Sequence, residues 1–363
     1  MAVKQVMLHK VTKGMTIAED VYKGDQLIVK KNRPVTQEVL DILHFSSIVS
    51  VAVYDGDESG EDNNTTISRN APLSHSQKLR QSETFKKFEE EFNETTETFS
   101  HQLNDIAKKT DSVNMDELFA SANSIMENAT NTYQLMDILS NIRYFDDSTY
   151  AHSLNVALLA NILARWLHFD DEKLKMITVA GMLHDIGKVL IPKEIIQKPG
   201  KLTDEEFQQI KSHPLKGYEL LKAKNVDEEI AQAALMHHEK CDGTGYPMKV
   251  TIDKICYTAR IIAIVDVYEA MTANRCYRDG ICPFHVIRTF EDEGYAKYDP
   301  VYMIPFLRGI ADTYLHNTVL LSDGTQGEII LTNNTTPSKP SLLVNGAFVD
   351  LSMRSDLSIE KIL

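Results

Sequence analysis

The chain has 363 residues, 43 % of them hydrophobic and 25 % charged, a balance that builds a packed core and excludes wholesale disorder. Its formal net charge of −14 excludes a general affinity for DNA, RNA polymers or anionic membrane surfaces, which reward broad positive fields. A small phosphorylated ligand stays compatible, because a few cations can neutralise it locally. The length predicts one main domain of about 170 to 200 residues with smaller appendages. Cys241, Cys256, Cys276 and Cys282 form no CxxC pair, so neither a zinc ribbon nor a disulfide scaffold is expected, and reduced thiols in a cytoplasmic protein are. The opening MAVKQVMLHK has no signal-peptide core, and the apolar run IIAIVDV is too short to cross a bilayer.

Residues 1–54 contain the β-rich runs Gln26–Val29 and Ile48–Val53 between Gly and Pro turn signals, and they read as a small β-rich or α+β module. From 55 to 80 the composition turns to Asp, Glu, Gly, Asn, Ser and Thr, which cannot bury enough apolar surface to order itself, so a polar linker is expected. Residues 81–130 read as a helical connector. There Phe85, Phe92, Phe99 and Ile106 recur every seven residues with Phe88 between them, while Thr95 and Gln102 break the second seam. Such a stripe fits a helix paired with its twin in a homodimer, or one packed on its own domain; the pattern does not choose.

Residues 131–315 carry helical signals throughout. Leu154, Leu158, Ile162 and Trp166 form an i, i+4 ridge, and Thr203 with Glu206 makes a capping box that opens a helix bearing Phe207 and Ile210. Residues 316–363 return to strands: Thr318–Leu321, an Asp323–Gly324 turn, Gly327–Leu331 and Ser341–Val344. The expected fold is mainly α, a central all-α domain with small β-rich modules at both ends.

Five of the twelve histidines fall in the helical region in suggestive company: His152, His184 beside Asp185, His213, and the pair His237–His238, with Asp266 on a later helix. Burying such pairs inside apolar helices is costly unless something coordinates them, and a metal is the simplest partner. Imidazole with carboxylate suits Fe, Mn, Zn or Ni, and groups brought together from separate helices are how a bundle builds a two-metal site. His9, His44, His75, His101, His168, His285 and His316 stand alone and read as ordinary histidines.

Gly181-Met182-Leu183-His184-Asp185-Ile186-Gly187-Lys188 resembles the HD signature, and the run from His237 to Pro247, HHEKCDGTGYP, resembles the HHExxDGxGYP signature of the HD-GYP phosphodiesterases. The likeness extends from about Tyr150 through Lys198–Thr203 to Asp299-Pro300, and so the central region is read as an HD-type helical domain. The resemblance implies hydrolysis of cyclic di-GMP to linear pGpG, GMP or both. It makes His152, His184, Asp185, His213, His237, His238 and Asp266 the ligands of two divalent metal ions, Fe or Mn, with Asp185 as the bridge. It makes Lys188 a phosphate-contacting catalytic lysine, and it sets Arg275 and Arg278 facing the substrate phosphates. Tyr246, in the Gly243–Pro247 loop, would stack on a base or meet a protein partner such as a diguanylate cyclase.

Two departures from the family pattern stand out. Ser148 occupies the position where members with a third metal carry an acid, so two metals are expected; and Met248–Ile255 lacks the usual Asp-Gly after the proline, which bears on substrate preference. Within this reading, a hydroxide held between the ions attacks phosphorus in line, with Lys188 stabilising charge on the non-bridging oxygens. Two alternatives stay open at this point: a catalytically weak cyclic-dinucleotide sensor or cyclase-docking module, and the same chemistry on hybrid cyclic GMP-AMP.

Overall fold

The structure, a computed structural model, describes residues 3–7, 11, 14–23, 26–36, 39–40, 43, 50–54, 75–108, 113–142, 149–198, 202–273 and 280–363. It divides into two units, one holding the described residues up to 54 and the other all those from 75 onward. In the first, β1 (Val3–Met7) pairs antiparallel with β4 (Ser50–Tyr54), and β2 (Val21–Lys23) with β3 (Gln26–Val29). Its small core gathers Val11, Ile17, Val29, Val35, Val39, Leu43, Val51 and Val53.

The second unit is mainly helical. It opens with α1 (His75–Gln81) and α2 (Glu83–Lys108), so the carboxyl-terminal end of the expected linker is helix; residues 55–74 lie outside those described. Leu79 explains the difference, since it packs on the core and anchors a segment that composition alone marks as polar. The phenylalanine stripe of α2 turns inward: Phe85, Phe88, Phe92 and Phe99 are at most 2 % exposed, within the core of their own unit. Of its two readings, packing on its own domain is therefore the one the structure displays.

Next come α3 (Met115–Met126), α4 (Thr132–Asn141), α5 (Thr149–Trp166) and α6 (Asp171–Leu183). Every residue of α5 from Ser153 to Ala164 is buried, which makes it the central helix rather than an amphipathic surface one. Its polar Asn161 is satisfied on both sides, donating to Thr178 Oγ1 at 2.8 Å and accepting from Arg165 Nε at 2.8 Å. Asp170 caps α6 by accepting from the Lys173 amide at 2.9 Å.

A 3-10 turn (Ile186–Leu190) follows α6 and leads to α7 (Lys193–Ile196), α8 (Asp204–Ile210), α9 (His213–Ala223), α10 (Glu228–Met236), α11 (Tyr257–Thr272), α12 (Pro283–Lys297) and α13 (Pro300–Thr313). The capping box of Thr203 and Glu206 is formed reciprocally at the start of α8. Strands β5 (Thr318–Leu321), β6 (Gln326–Leu331), β7 (Ser341–Val344), β8 (Ala347–Asp350) and β9 (Ile359–Ile362) close the chain as an antiparallel sheet ordered β8-β7-β6-β5-β9. Val319, Leu321, Ile329, Leu342 and Ile359 join the helical core, so connector, helical domain and sheet share one apolar interior. Among the described residues no helix is long and apolar enough to cross a membrane.

Phe88→Ala is expected to lower the unfolding free energy by about 3–5 kcal/mol, the range for removing a buried aromatic ring. Chemical denaturation checks this, with a midpoint that stays constant across protein concentrations; a concentration-dependent midpoint would mean that a second chain covers the stripe.

Candidate metal centre

Five helices bring their chemistry-bearing residues together, four at or near an end and one from its middle. His152 lies in the first turn of α5, His184 and Asp185 follow the last residue of α6, His213 opens α9, His237 and His238 follow α10, and Asp266 projects from the buried α11. Two of these positions are helix carboxyl termini, whose unpaired carbonyls favour a cation nearby. The turn after α6 approaches α9 closely. A Cβ at Gly187 would lie 2.0 Å from the His213 carbonyl oxygen, so only glycine lets His213 come beside Asp185.

Main-chain carbonyls fix three of the imidazoles. Nδ1 of His184 donates to Gly181 O at 2.7 Å, Nδ1 of His213 to Ile210 O at 2.7 Å, and Nδ1 of His237 to Ala234 O at 2.9 Å. A neutral ring with its proton on Nδ1 keeps a lone pair on Nε2. Those lone pairs converge: Nε2 of His213 and His237 face each other at 3.3 Å, and Nε2 of His184, His213 and His237 lie 3.4, 3.1 and 3.8 Å from the Asp185 carboxylate. His184 Nε2 and Asp185 Oδ1 are buried without a hydrogen bond of acceptable angle, although His213 Nε2 is within ion-pair distance of the latter. Acceptors pointed at one another inside a protein fit a cation between them.

Two overlapping groups could hold a metal ion: Asp185, His213, His237 and His238, and His152, His184 and Asp185. Asp185 belongs to both. Asp266 reaches toward each, with Oδ1 at 3.1 Å from His152 Nε2 and Oδ2 at 3.9 Å from His238 Nδ1. Burial pushes His238 down to about 3, a drop that Asp266 only partly offsets, so this ring is neutral at physiological pH. Burial also pulls on His152, but the Glu269 and Asp266 carboxylates outweigh it and push that ring up to about 10. Burial would raise the Asp185 carboxyl; the Lys188 ammonium beside it leads the groups that overcome this and hold it well below the usual carboxylate range.

Lys188 reaches back along its 3-10 turn to place Nζ 2.5 Å from Asp185 Oδ2. Tyr246 stacks on His238, ring centroids 4.7 Å apart and planes 28° from parallel. Its phenol is raised by burial and then by the nearby Asp185 and Asp266 charges, so it keeps its proton and can donate. Gly245 brings the loop against the preceding helix end, where a Cβ would fall 2.4 Å from the Glu239 Cα. The structure thus gathers all seven expected ligands, with Lys188 and Tyr246 beside them. Arg275, Arg278 and Ser148 lie outside the described residues.

Two carboxylates at the site carried no role in the sequence reading. Glu269, buried on α11, accepts from His152 Nδ1 at 2.6 Å and from Asn155 Nδ2 at 3.2 Å, which turns His152 Nε2 toward Asp185 and Asp266. Its available signal was a second acid three residues after Asp266 in an otherwise apolar helix. Glu239, inside the second signature, accepts from the amides of Met248, Lys249 and Val250 at 2.6, 3.0 and 3.3 Å and so fastens the stretch after Pro247.

Residues 115–301 match a family model described as the HD domain. The chain is 36 % identical over 193 residues to a Pseudomonas aeruginosa protein named as a cyclic di-GMP phosphodiesterase, covering 53 % of this chain and 46 % of that one. A cyclic di-GMP phosphodiesterase response regulator of Xanthomonas campestris is 35 % identical over 53 % of this chain and 51 % of its own. A 3′3′-cGAMP-specific phosphodiesterase of Vibrio cholerae is 34 % identical over 42 % of this chain and 33 % of its own. The chain thus spans about half, or less, of the length of these relatives.

Glu269→Gln is expected to weaken divalent-metal binding by about 10- to 100-fold, as loss of the group that orients a ligand histidine does elsewhere. Competition against a chelator measures the affinity, and unchanged far-ultraviolet circular dichroism shows that the helices remain.

Proposed function

This chain belongs to the HD domain family, and its two signatures put it with the HD-GYP proteins; from that premise we propose that it is a metal-dependent phosphodiesterase whose substrate is cyclic di-GMP. The observation that carries the reading is the pair of ligand groups sharing Asp185, with imidazole lone pairs converging on that carboxylate. His213, His237 and His238 would hold one ion and His152 and His184 a second, with Asp185 belonging to both groups and Asp266 reaching His152 and His238. A ligand set of imidazole with carboxylate supports Fe or Mn over Mg. Bound divalent ions supply a lowered pKa for coordinated water and offset the charge of the phosphoryl oxygens.

The protein's own groups do the rest. Lys188 holds its ammonium at the centre, where it can stabilise charge on a non-bridging oxygen. Tyr246, its ring stacked on His238, offers a phenol that remains a donor beside the centre. Arg275 and Arg278 are retained as proposed phosphate contacts on the resemblance alone. Convergence of all seven ligand side chains weighs against a catalytically weak sensor. A second reading, hybrid cyclic GMP-AMP as substrate, rests on the likeness to the Vibrio protein and on the departure of Met248–Ile255 from the family loop.

The deciding experiment is anaerobic incubation of metal-analysed protein with cyclic di-GMP and, separately, with 3′3′-cyclic GMP-AMP, with products separated by chromatography. Linear pGpG or GMP from the first compound is expected, and preferential cleavage of the second would move the assignment to the hybrid. Asp185→Ala should lose bound metal and turnover together. Lys188→Ala should keep its metal and slow turnover by about 100-fold, the scale for removing one group that stabilises transition-state charge; loss of metal in that variant would make the lysine structural.

A further inference from the structure

Lys211 lies at the carboxyl-terminal end of α8, two residues before the site histidine His213. Its ammonium sits over the ring of Tyr246, 4.7 Å from the centroid, and over the ring of Phe207, 5.3 Å from the centroid. Tyr246 in turn stacks on His238, so one stack of rings links Lys211 to the metal centre. Among the described residues its partners are these two rings and no carboxylate. That sets it apart from Lys188, Lys198 and Lys222, each of which has an acidic partner, in a chain with 52 acidic and 38 basic side chains. Phe207 is 48 % exposed, so its ring forms the outer edge of this shelf.

Two aromatic faces hold the ammonium without neutralising it, because the attraction of a ring quadrupole leaves the full charge available to an anion. A cyclic dinucleotide carries two phosphodiesters. The one at the reacting centre meets the metal ligands and Lys188; the other, on the far side of the macrocycle, needs a cation away from the metals. We propose that Lys211 binds this non-reacting phosphodiester, with Tyr246 and Phe207 fixing its position. The inference rests on the phosphodiesterase reading and adds a recognition element specific to substrates with a second phosphate.

An interaction made equally in the ground and transition states raises KM when it is lost and leaves kcat alone. Lys211→Met keeps the apolar stem against the rings and removes the charge, and Lys211→Arg restores it. Steady-state kinetics of the full chain with cyclic di-GMP should show KM raised about ten-fold in Lys211→Met with kcat within two-fold, and recovery in Lys211→Arg. Bis(p-nitrophenyl) phosphate has a single phosphodiester and should be cleaved equally by parent and Lys211→Met. Equilibrium binding of cyclic di-GMP, measured alongside, should weaken by the same ten-fold factor. Equal losses on both substrates would make the lysine a structural clip and overturn the proposal, as would unchanged kinetics and binding. A parent that binds cyclic di-GMP without cleaving either compound would defeat the phosphodiesterase reading, while the binding ratio of parent to Lys211→Met still decides the role of Lys211.

Discussion

Burial of the Asp185 carboxylate is the constraint around which this helical domain is arranged. Only 2 % of the residue is exposed, yet its carboxyl is held in the charged form. An isolated buried carboxylate costs several kcal/mol even after relaxation, so a stable fold has to surround it with compensating groups. Four imidazoles, from His152, His184, His213 and His237, lie 3.1 to 3.8 Å from it, and the Lys188 ammonium lies closer still. The same convergence that tolerates this charge produces a ligand set for divalent ions.

Rigid backbone delivers that convergence. The ligand pairs sit at helix ends, where the chain must turn and side chains can point inward without breaking the helical hydrogen bonds. Carbonyls of the preceding turn hold the Nδ1 protons of His184, His213 and His237, and the Glu269 carboxylate orients His152. Helices α5 and α11, buried on most sides, leave their polar residues no water to turn to. Asp266 and Glu269 both reach His152, and Glu269 also accepts from Asn155 Nδ2, which ties the two helices together at the site.

The proposed function sets an anionic substrate against a strongly acidic chain. With a formal net charge of −14 the chain offers no broad electrostatic attraction, so in the proposed reading recognition rests on a few locally placed cations. Lys188 is held by a salt bridge inside the centre, and Lys211 by aromatic faces at its rim. The salt bridge tempers the charge of the first; ring contacts leave the charge of the second intact.

Local chemistry was sufficient to read much of this from the amino-acid sequence. His184, Asp185, His237 and His238 lie in the two signatures, the family resemblance adds His152, His213 and Asp266 to the ligand set, and strands such as Gln26–Val29 and Ser341–Val344 follow from β-branched and apolar runs between turn residues. Helical periodicity identified the α domain for the same reason, since period and composition are properties of neighbouring residues. Tertiary structure decided what neighbours cannot encode. The stripe of α2 could face a twin or its own domain, and only the position of the surrounding helices buries Phe88 at home. Glu269 pairs with a histidine 117 positions away, and Lys211 meets Tyr246 across a separate loop. Such contacts exist only after the helices pack, because burial, which removes water as the alternative partner, then determines which polar groups must find each other.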